Sequence, residues 1–495
     1  MFKKLRQRRV LTISIGFLLL FSLLIFIDTK SFYEIIELAS LWVRKWFGHF
    51  YLYLGLFCVL FLLALAFSPF GKQKLGKSQD RPEFSRWSWI AMLYSAGMGA
   101  GILLRAVQEP VFMQQNPPIQ TGQSAETIAL EYTFYQWGFT AWAFYGLFAL
   151  IIGYYLFNKK RPALVSAAVL DISTRKSILN SVDILAILTT VFGLIGAVSL
   201  GTTQINGGLN HLFKSNFDLW MTLGLTLLIT GLAFLSVWKG MHQGIKRISK
   251  LNIRVTLLVL LFIFFQGNIW TIFQQFGIAL YHYILDFIPL SLSLGNYDPG
   301  EIFLTDWTYY YWAFWLAWAP FTGVFIARIS RGRTIRELLL GVLIIPALGT
   351  FFWFSVFGES AFQLIEDWNS YQGEFNNVFS SIFVFFENFP FSGVLNSITI
   401  FLLISFLVTS VDSAVFVLSM FTDNGRTEPS KKHRLIWSVS ITIFAVSMIL
   451  LGHARPEISV LTALQKLLII TSLPFALLMI VMSGIFIREI IKNRL

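Results

Sequence analysis

Twelve runs of apolar residues, at approximately 10–27, 51–67, 88–107, 132–157, 184–209, 219–237, 255–273, 307–327, 338–357, 394–420, 435–451 and 461–487, dominate the chain. Crossing a hydrocarbon core takes about 20 such residues. Within lipid every backbone N–H and C=O must be paired inside the chain, so runs of this kind fold as helices. The expectation is an all-α polytopic membrane protein with 12 transmembrane helices. The stretch 31–50, between the first two runs, reads as an amphipathic helix lying in the interface.

Composition agrees: 56% of the 495 residues are apolar and 13% charged, with mean hydropathy +0.67. A net charge of +12 raises the possibility of nucleic acid, but the basic residues do not form a groove. They fall in alternate loops, for example Lys72, Lys74, Lys77, Arg81 and Arg86, then Lys159, Lys160 and Arg161, then Arg328, Arg331, Arg333 and Arg336. Intervening loops hold Asp298, Glu301 and Asp306, or Glu359, Glu366, Asp367, Glu374 and Glu387, without Lys or Arg. This asymmetry places both termini in the cytoplasm and requires an even number of spans. Asp28, Thr29 and Lys30 follow the first run where a cleavage site would need small residues, so the first helix reads as uncleaved. The single cysteine, Cys58, excludes an internal disulfide framework, and the six histidines show no metal-ligand spacing.

Several runs contain residues that lipid alone does not explain. The third includes SAGMGAG, with Gly97, Gly99 and Gly101 in mid-span. Each glycine weakens a helix by about 1 kcal/mol relative to alanine, which invites local unwinding. Unwound backbone at membrane depth belongs where it lines a site, although small residues also serve close helix packing. The fifth run holds Thr189, Thr190, Ser199, Thr202, Thr203, Gln204 and Asn206, and the tenth holds VTSVDS with Asp412. Such groups either join helices by hydrogen bonds or line an ion path.

The densest feature is WTYYYWAFWLAWAP, residues 307–320. Read as a helix, it places Tyr311, Trp315, Trp318 and Thr322 on one face. The fourth run adds YQWGFTAWAFY, in which Trp137, Trp142 and Tyr145 share roughly one helical side at a depth close to that of Trp315. A quaternary ammonium group has a fixed charge and no N–H to donate, and an aromatic cage suits it at about 2 kcal/mol per desolvated ring. An interfacial aromatic belt is the alternative.

Taken together, GMGAG with QEP, QWGFTAWAFY, residues 307–320 with ARISRGRTIRE, and VTSVDS resemble the betaine/carnitine/choline transporter family from about Arg86 to the C-terminus. The resemblance implies a LeuT-like fold. Residues 1–85 would form two peripheral helices, 86–290 a first five-helix repeat (spans three to seven), and 291–495 a second, inverted one. It also implies a homotrimer in the cell (inner) membrane and a small quaternary-ammonium substrate carried by alternating access. Matched residue by residue, Trp137, Trp142, Tyr145 and Trp315 form the box for the trimethylammonium group, with Trp318 on the exit path. The N–H groups of the Gly97, Gly99 and Gly101 stretch receive a substrate carboxylate. A sodium ion, as coupling ion, would take the carbonyls of Ser95, Met98 and Phe406 and the hydroxyls of Thr409 and Ser410. A second sodium position is half matched: Thr190 and Phe321 are present, but Leu194 stands where a threonine is expected.

The expected function is sodium-coupled symport of a trimethylammonium compatible solute, glycine betaine foremost, because the glycine stretch has no Asp or Glu for choline's hydroxyl end. The alternatives are a sodium-independent carnitine/betaine-type antiporter and a choline carrier. Arg105, at a family aromatic position, bears on this choice. It either snorkels to the outer interface, attracts a substrate carboxylate, partners Glu109, or replaces a coupling cation. A channel would show a polar-lined pore and an enzyme a clustered nucleophile or acid/base pair; neither pattern is present. Osmotically activated members of the family often carry long charged terminal extensions, and the short ends here lead to the expectation of a constitutive transporter or one controlled only through expression.

Overall fold

Hydrocarbon leaves these runs one way to pair their backbone, and they take it: among the described residues, eleven helices are long and apolar enough to cross a membrane. The structure is a computed structural model that describes residues 2–492 apart from 98, 240, 241, 366, 367, 369, 427 and 455–457. The twelfth run, the glycine-bearing third, is absent from that set because it is broken into pieces.

The first two helices are α1 (Phe2–Ile27) and α2 (Thr29–Phe67). Asp28 separates them, its carboxylate accepting from Ser31 N at 3.1 Å as an N-cap. The interfacial helix expected over 31–50 is therefore no separate element: α2 runs unbroken for 39 residues. No proline interrupts that stretch, its glycine, Gly48, stays helical, and its inner face is buried at Tyr33, Ile36, Ser40 and Val43. Tyr51 is fully buried and donates to Ile469 O at 2.6 Å beside Ser472 at 2.9 Å. Tyr51→Phe is expected to lower stability by about 1 kcal/mol and leave substrate affinity unchanged. Thermal inactivation in detergent reads the first and equilibrium binding the second.

The third run divides into α3 (Arg86–Gly97) and α4 (Ala100–Arg105), and α5 (Gln108–Gln115) follows it. The fourth divides into α6 (Ala125–Trp137) and α7 (Phe139–Gly153). Then follow α8 (Lys176–Phe213), α9 (Leu219–Lys239) and α10 (His242–Gln266). The seventh run was expected to reach residue 273, but α10 stops at Gln266. After Gly267, Asn268 caps a new helix, α11 (Ile269–Leu292), by accepting from Thr271 N at 3.2 Å. One face of α11 is buried at Ile272, Ala279, Tyr283 and Phe287, while Trp270, Tyr281, Ile284 and Leu285 are exposed. That is the pattern of an interfacial helix, which sequence reading overlooked.

A one-turn helix α12 (Glu301–Phe303) and a π-helical stretch (Leu304–Tyr309) lead into α13 (Tyr310–Ile329). The remainder is α14 (Ile335–Leu364), the short α15 (Ser381–Phe386), α16 (Ser392–Thr422), α17 (Lys431–Leu451) and α18 (Val460–Lys492). Helix α13 sits at the centre, packed on α7, α8 and α18, while α16 lies against α8, α9 and α10.

On the basic side, the connection between α13 and α14 is stitched to the loop after α2. Leu75 N donates to Arg333 O at 2.9 Å, Ile335 N to Gln73 O at 2.8 Å and Gly332 N to Leu75 O at 2.8 Å. Arg331 pairs with Asp80 at 3.2 Å. The Lys77 N–H donating to Asp80, with Arg331 beside it, holds that carboxyl below its usual range.

Candidate functional site

The broken third and fourth runs converge on α13. Helix α3 ends at Gly97 and α4 begins at Ala100, so the expected interruption falls between them, with Gly99 as its described residue. Met98 lies outside the described residues, as do the side chains of Ser95 and Gly97. Gly99 is extended, with φ −130° and ψ −161°. Where Gly101 lacks a side chain, Trp137 comes close: a Cβ there would sit 3.5 Å from Trp137 Cη2.

The break in the fourth run falls immediately after Trp137. Gly138 has φ −97° and ψ −133°, which is not helical. A Cβ on it would lie 2.4 Å from Phe134 O and 2.6 Å from both Phe351 Cζ and Tyr283 Oη. The freed N–H of Phe139 is satisfied by the Tyr283 hydroxyl of α11 at 2.9 Å. Trp137 therefore belongs to α6, and Trp142 and Tyr145 to α7.

The four expected box residues nevertheless form one buried cluster. Trp137 meets Trp315 at 5.1 Å between ring centroids and 67°. Trp315 meets Tyr145 at 6.4 Å and 90°, and Tyr145 meets Trp142 at 5.6 Å and 90°. Edge-to-face geometry of this kind is the favourable arrangement for aromatic quadrupoles. It also leaves indole faces to be turned on a cation. Trp315 is fixed in orientation by its Nε1, which donates to Gln136 O at 3.0 Å, one residue before Trp137. Phe354 of α14 adds a further ring at 5.1 Å from Trp137.

Trp318 lies apart from this cluster. It is half-buried, contacts Phe314 at 6.1 Å and Phe321 at 5.6 Å, and its indole N–H meets no acceptor among the described residues. Thr322, on the same face, is buried with its hydroxyl likewise unpartnered.

For a cation coordinated by oxygen, α16 supplies Thr409, whose hydroxyl donates to Phe406 O at 3.0 Å. The Thr409 hydroxyl oxygen keeps lone pairs that could meet an ion, and a hydroxyl oxygen suits a hard cation. Ser410 is half-buried next to them. Helix α4, directly after the break, packs on both α16 and α8. At the second position, the Thr190 hydroxyl is bound to Ala186 O at 2.8 Å, Phe321 is half-buried and Leu194 presents hydrocarbon. Of the remaining fifth-run hydroxyls, Thr202 and Thr203 bond back to their own helix, with Thr226 Oγ1 reaching Thr202 from α9 at 3.2 Å, while those of Thr189 and Ser199 are buried and meet no partner among the described residues.

Arg105 does not snorkel. It is only 4% exposed, with Nη1 donating to Gln108 Oε1 at 2.6 Å and its guanidinium 4.7 Å above the Trp307 ring. The reason is the short α4, which ends at Arg105 and turns the chain inward beneath Trp307. Glu109, fully buried, accepts from Trp137 Nε1 at 3.2 and 3.1 Å and from the Tyr311 hydroxyl. The signal for Glu109 in the sequence was an acid four residues past an intramembrane arginine.

Similarity to known proteins bears on identity. Residues 9–495 match the family model described as BCCT, betaine/carnitine/choline family transporter. The chain is 37% identical to the glycine betaine transporter OpuD of Bacillus subtilis (strain 168), over 94% of this chain and 91% of that protein. It is 35% identical to the ectoine/hydroxyectoine transporter of Virgibacillus pantothenticus, over 90% and 89%. With the high-affinity choline transport protein of Escherichia coli (strain K12) it shares 34% identity over 96% of this chain and 70% of that one. A chain of membrane-crossing helices, broken beside a buried aromatic cluster and matched from end to end by this family model, belongs to the betaine/carnitine/choline transporter family, whose members are multi-pass transporters and not enzymes.

Proposed function

We propose that this chain imports a small trimethylammonium zwitterion, glycine betaine foremost, by sodium-coupled symport and alternating access. The observation that carries the reading is the buried cluster of Trp137, Trp142, Tyr145 and Trp315, drawn from three helices onto one spot. A quaternary nitrogen gains cation–π attraction there from the ring faces, with no carboxylate among the four residues that would touch it. The extended backbone at Gly99 supplies N–H groups for the carboxylate end. Relatives named for glycine betaine and for ectoine, both zwitterions, support that order of substrates.

The ion would sit between the broken third span and α16, on Thr409, Ser410 and the carbonyls of Phe406, Ser95 and Met98. Each ligand then favours the conformation the other requires, which is coupling. In this reading, residues 86–290 and 291–495 are the two inverted halves. The protein works as a homotrimer in the cell membrane with both termini cytoplasmic, as the basic loops favour.

A second reading, sodium-independent exchange of carnitine or betaine compounds, is favoured by the hydrocarbon of Leu194 at the second ion position and by the buried charge of Arg105. Uptake of labelled glycine betaine into proteoliposomes separates the two. Symport predicts accumulation only with an inward sodium gradient, and a loss of about tenfold or more in sodium affinity in Thr409→Ala, the scale of one charge-assisted oxygen contact. Exchange predicts sodium-independent uptake that needs a preloaded trimethylammonium compound. No uptake in either condition rejects glycine betaine as the guest.

A further inference from the structure

A carboxylate buried in the middle of an aromatic cluster demands a reason, because an unpaired one costs many kcal/mol. Glu109 is fully buried, yet no basic side chain lies within ion-pairing distance of it among the described residues. Its oxygens are instead satisfied by two ring-bearing donors. Trp137 Nε1 lies 3.2 Å from Oε1 and 3.1 Å from Oε2, and the Tyr311 hydroxyl donates to Oε2. Both rings stand against Trp315: Trp137 at 5.1 Å and Tyr311 stacked at 5.8 Å and 25°. Trp137 and Tyr311 also touch each other at 5.5 Å.

An N–H or O–H donated to an anion pushes electron density back into its ring. The π faces that would meet a cation become more negative, and the cation–π attraction grows with them. The same bonds fix the ring planes. We propose that Glu109 is a positioning residue that tunes the box for positive charge, acting through the indole of Trp137 and the phenol of Tyr311 without touching the substrate. The inference rests on the reading of Trp137 and Trp315 as a cation cage. Arg105, 4.7 Å from the Trp307 ring at the far end of the column Trp307, Tyr311, Trp315, offsets the buried negative charge without replacing Trp137 and Tyr311 as the donors to it.

The test uses tetramethylammonium, the smallest quaternary ammonium, and 3,3-dimethylbutan-1-ol, whose tert-butyl head has the same shape without the charge. Both are titrated against the purified full-length protein by tryptophan fluorescence. Glu109→Gln, close to isosteric, is expected to lower the ratio of the two affinities about tenfold, with the affinity for the neutral compound kept. Tyr311→Phe removes one donor but no ring, and it is expected to shift the ratio in the same direction by a smaller factor. It carries the test if Glu109→Gln does not fold. A purely architectural Glu109 would weaken both ligands together, and that result, or an unchanged ratio in the folded variants, overturns the proposal. Wild-type protein that binds no tetramethylammonium overturns it along with the cage. Binding of tetramethylammonium with the Glu109 dependence, but none of glycine betaine, supports the proposal and removes only the betaine assignment.

Discussion

Trp315→Ala is expected to weaken quaternary-ammonium binding by about 30-fold, because a desolvated ring contributes roughly 2 kcal/mol and each 1.4 kcal/mol is a factor of ten. Trp315 is the hinge of the cluster. It touches Trp137, Tyr145 and Tyr311, and its Nε1 ties α13 to the Gln136 carbonyl at the end of α6. Trp315→Phe, which keeps a smaller face and loses the N–H, is expected to fall between wild type and the alanine variant. Equilibrium binding to purified protein reads the effect directly, and KM for uptake should rise in parallel. Wild-type affinity in Trp315→Ala would place the substrate elsewhere.

The second large effect is expected at Gly138. A methyl group there would come within 2.4 Å of Phe134 O, a backbone atom that cannot swing away, and within 2.6 Å of Phe351 and Tyr283. Overpacking of this kind costs about 1 to 3 kcal/mol. The damage is also local to function, since the residue before it is Trp137 and the N–H after it belongs to the Tyr283 bond. Gly138→Ala should therefore lower thermal stability and abolish transport. Tyr283→Phe, which removes only the hydroxyl, should reduce the transport rate with a milder loss of stability. Full activity in Gly138→Ala would mean that the break after Trp137 is dispensable.

How much of this was legible in the chain depends on what each feature advertises. Lipid-length runs announce themselves, and the glycines of the third run announced its interruption because three of them stand where a helix needs none. The ring cluster was readable too, since spacing and depth brought Trp137, Trp142, Tyr145 and Trp315 toward one level. The break at Gly138 was not: one glycine flanked by Trp137 and Phe139 looks like an ordinary small residue, and only Phe351 and Tyr283, far away in sequence, give it a reason. Helix α11 was hidden for a similar cause. The apolar seventh run seemed to continue through Gly267, and the start of a new, strongly amphipathic helix beyond it went unread. Of the readings open for Arg105, burial removes only snorkelling, which assumes a helix that continues toward the interface, whereas α4 ends at that residue.

The Phe139–Tyr283 bond links two environments that otherwise have nothing in common. One end is the backbone beside the indole of Trp137. The other is α11, whose Trp270, Tyr281, Ile284 and Leu285 face outward in the pattern of the headgroup layer. Helix α11 also rests on α14, which contributes Phe354 to the same ring cluster. The broken backbone of the fourth span is thus anchored from outside the ring cluster, by a hydroxyl on a helix whose opposite face is exposed.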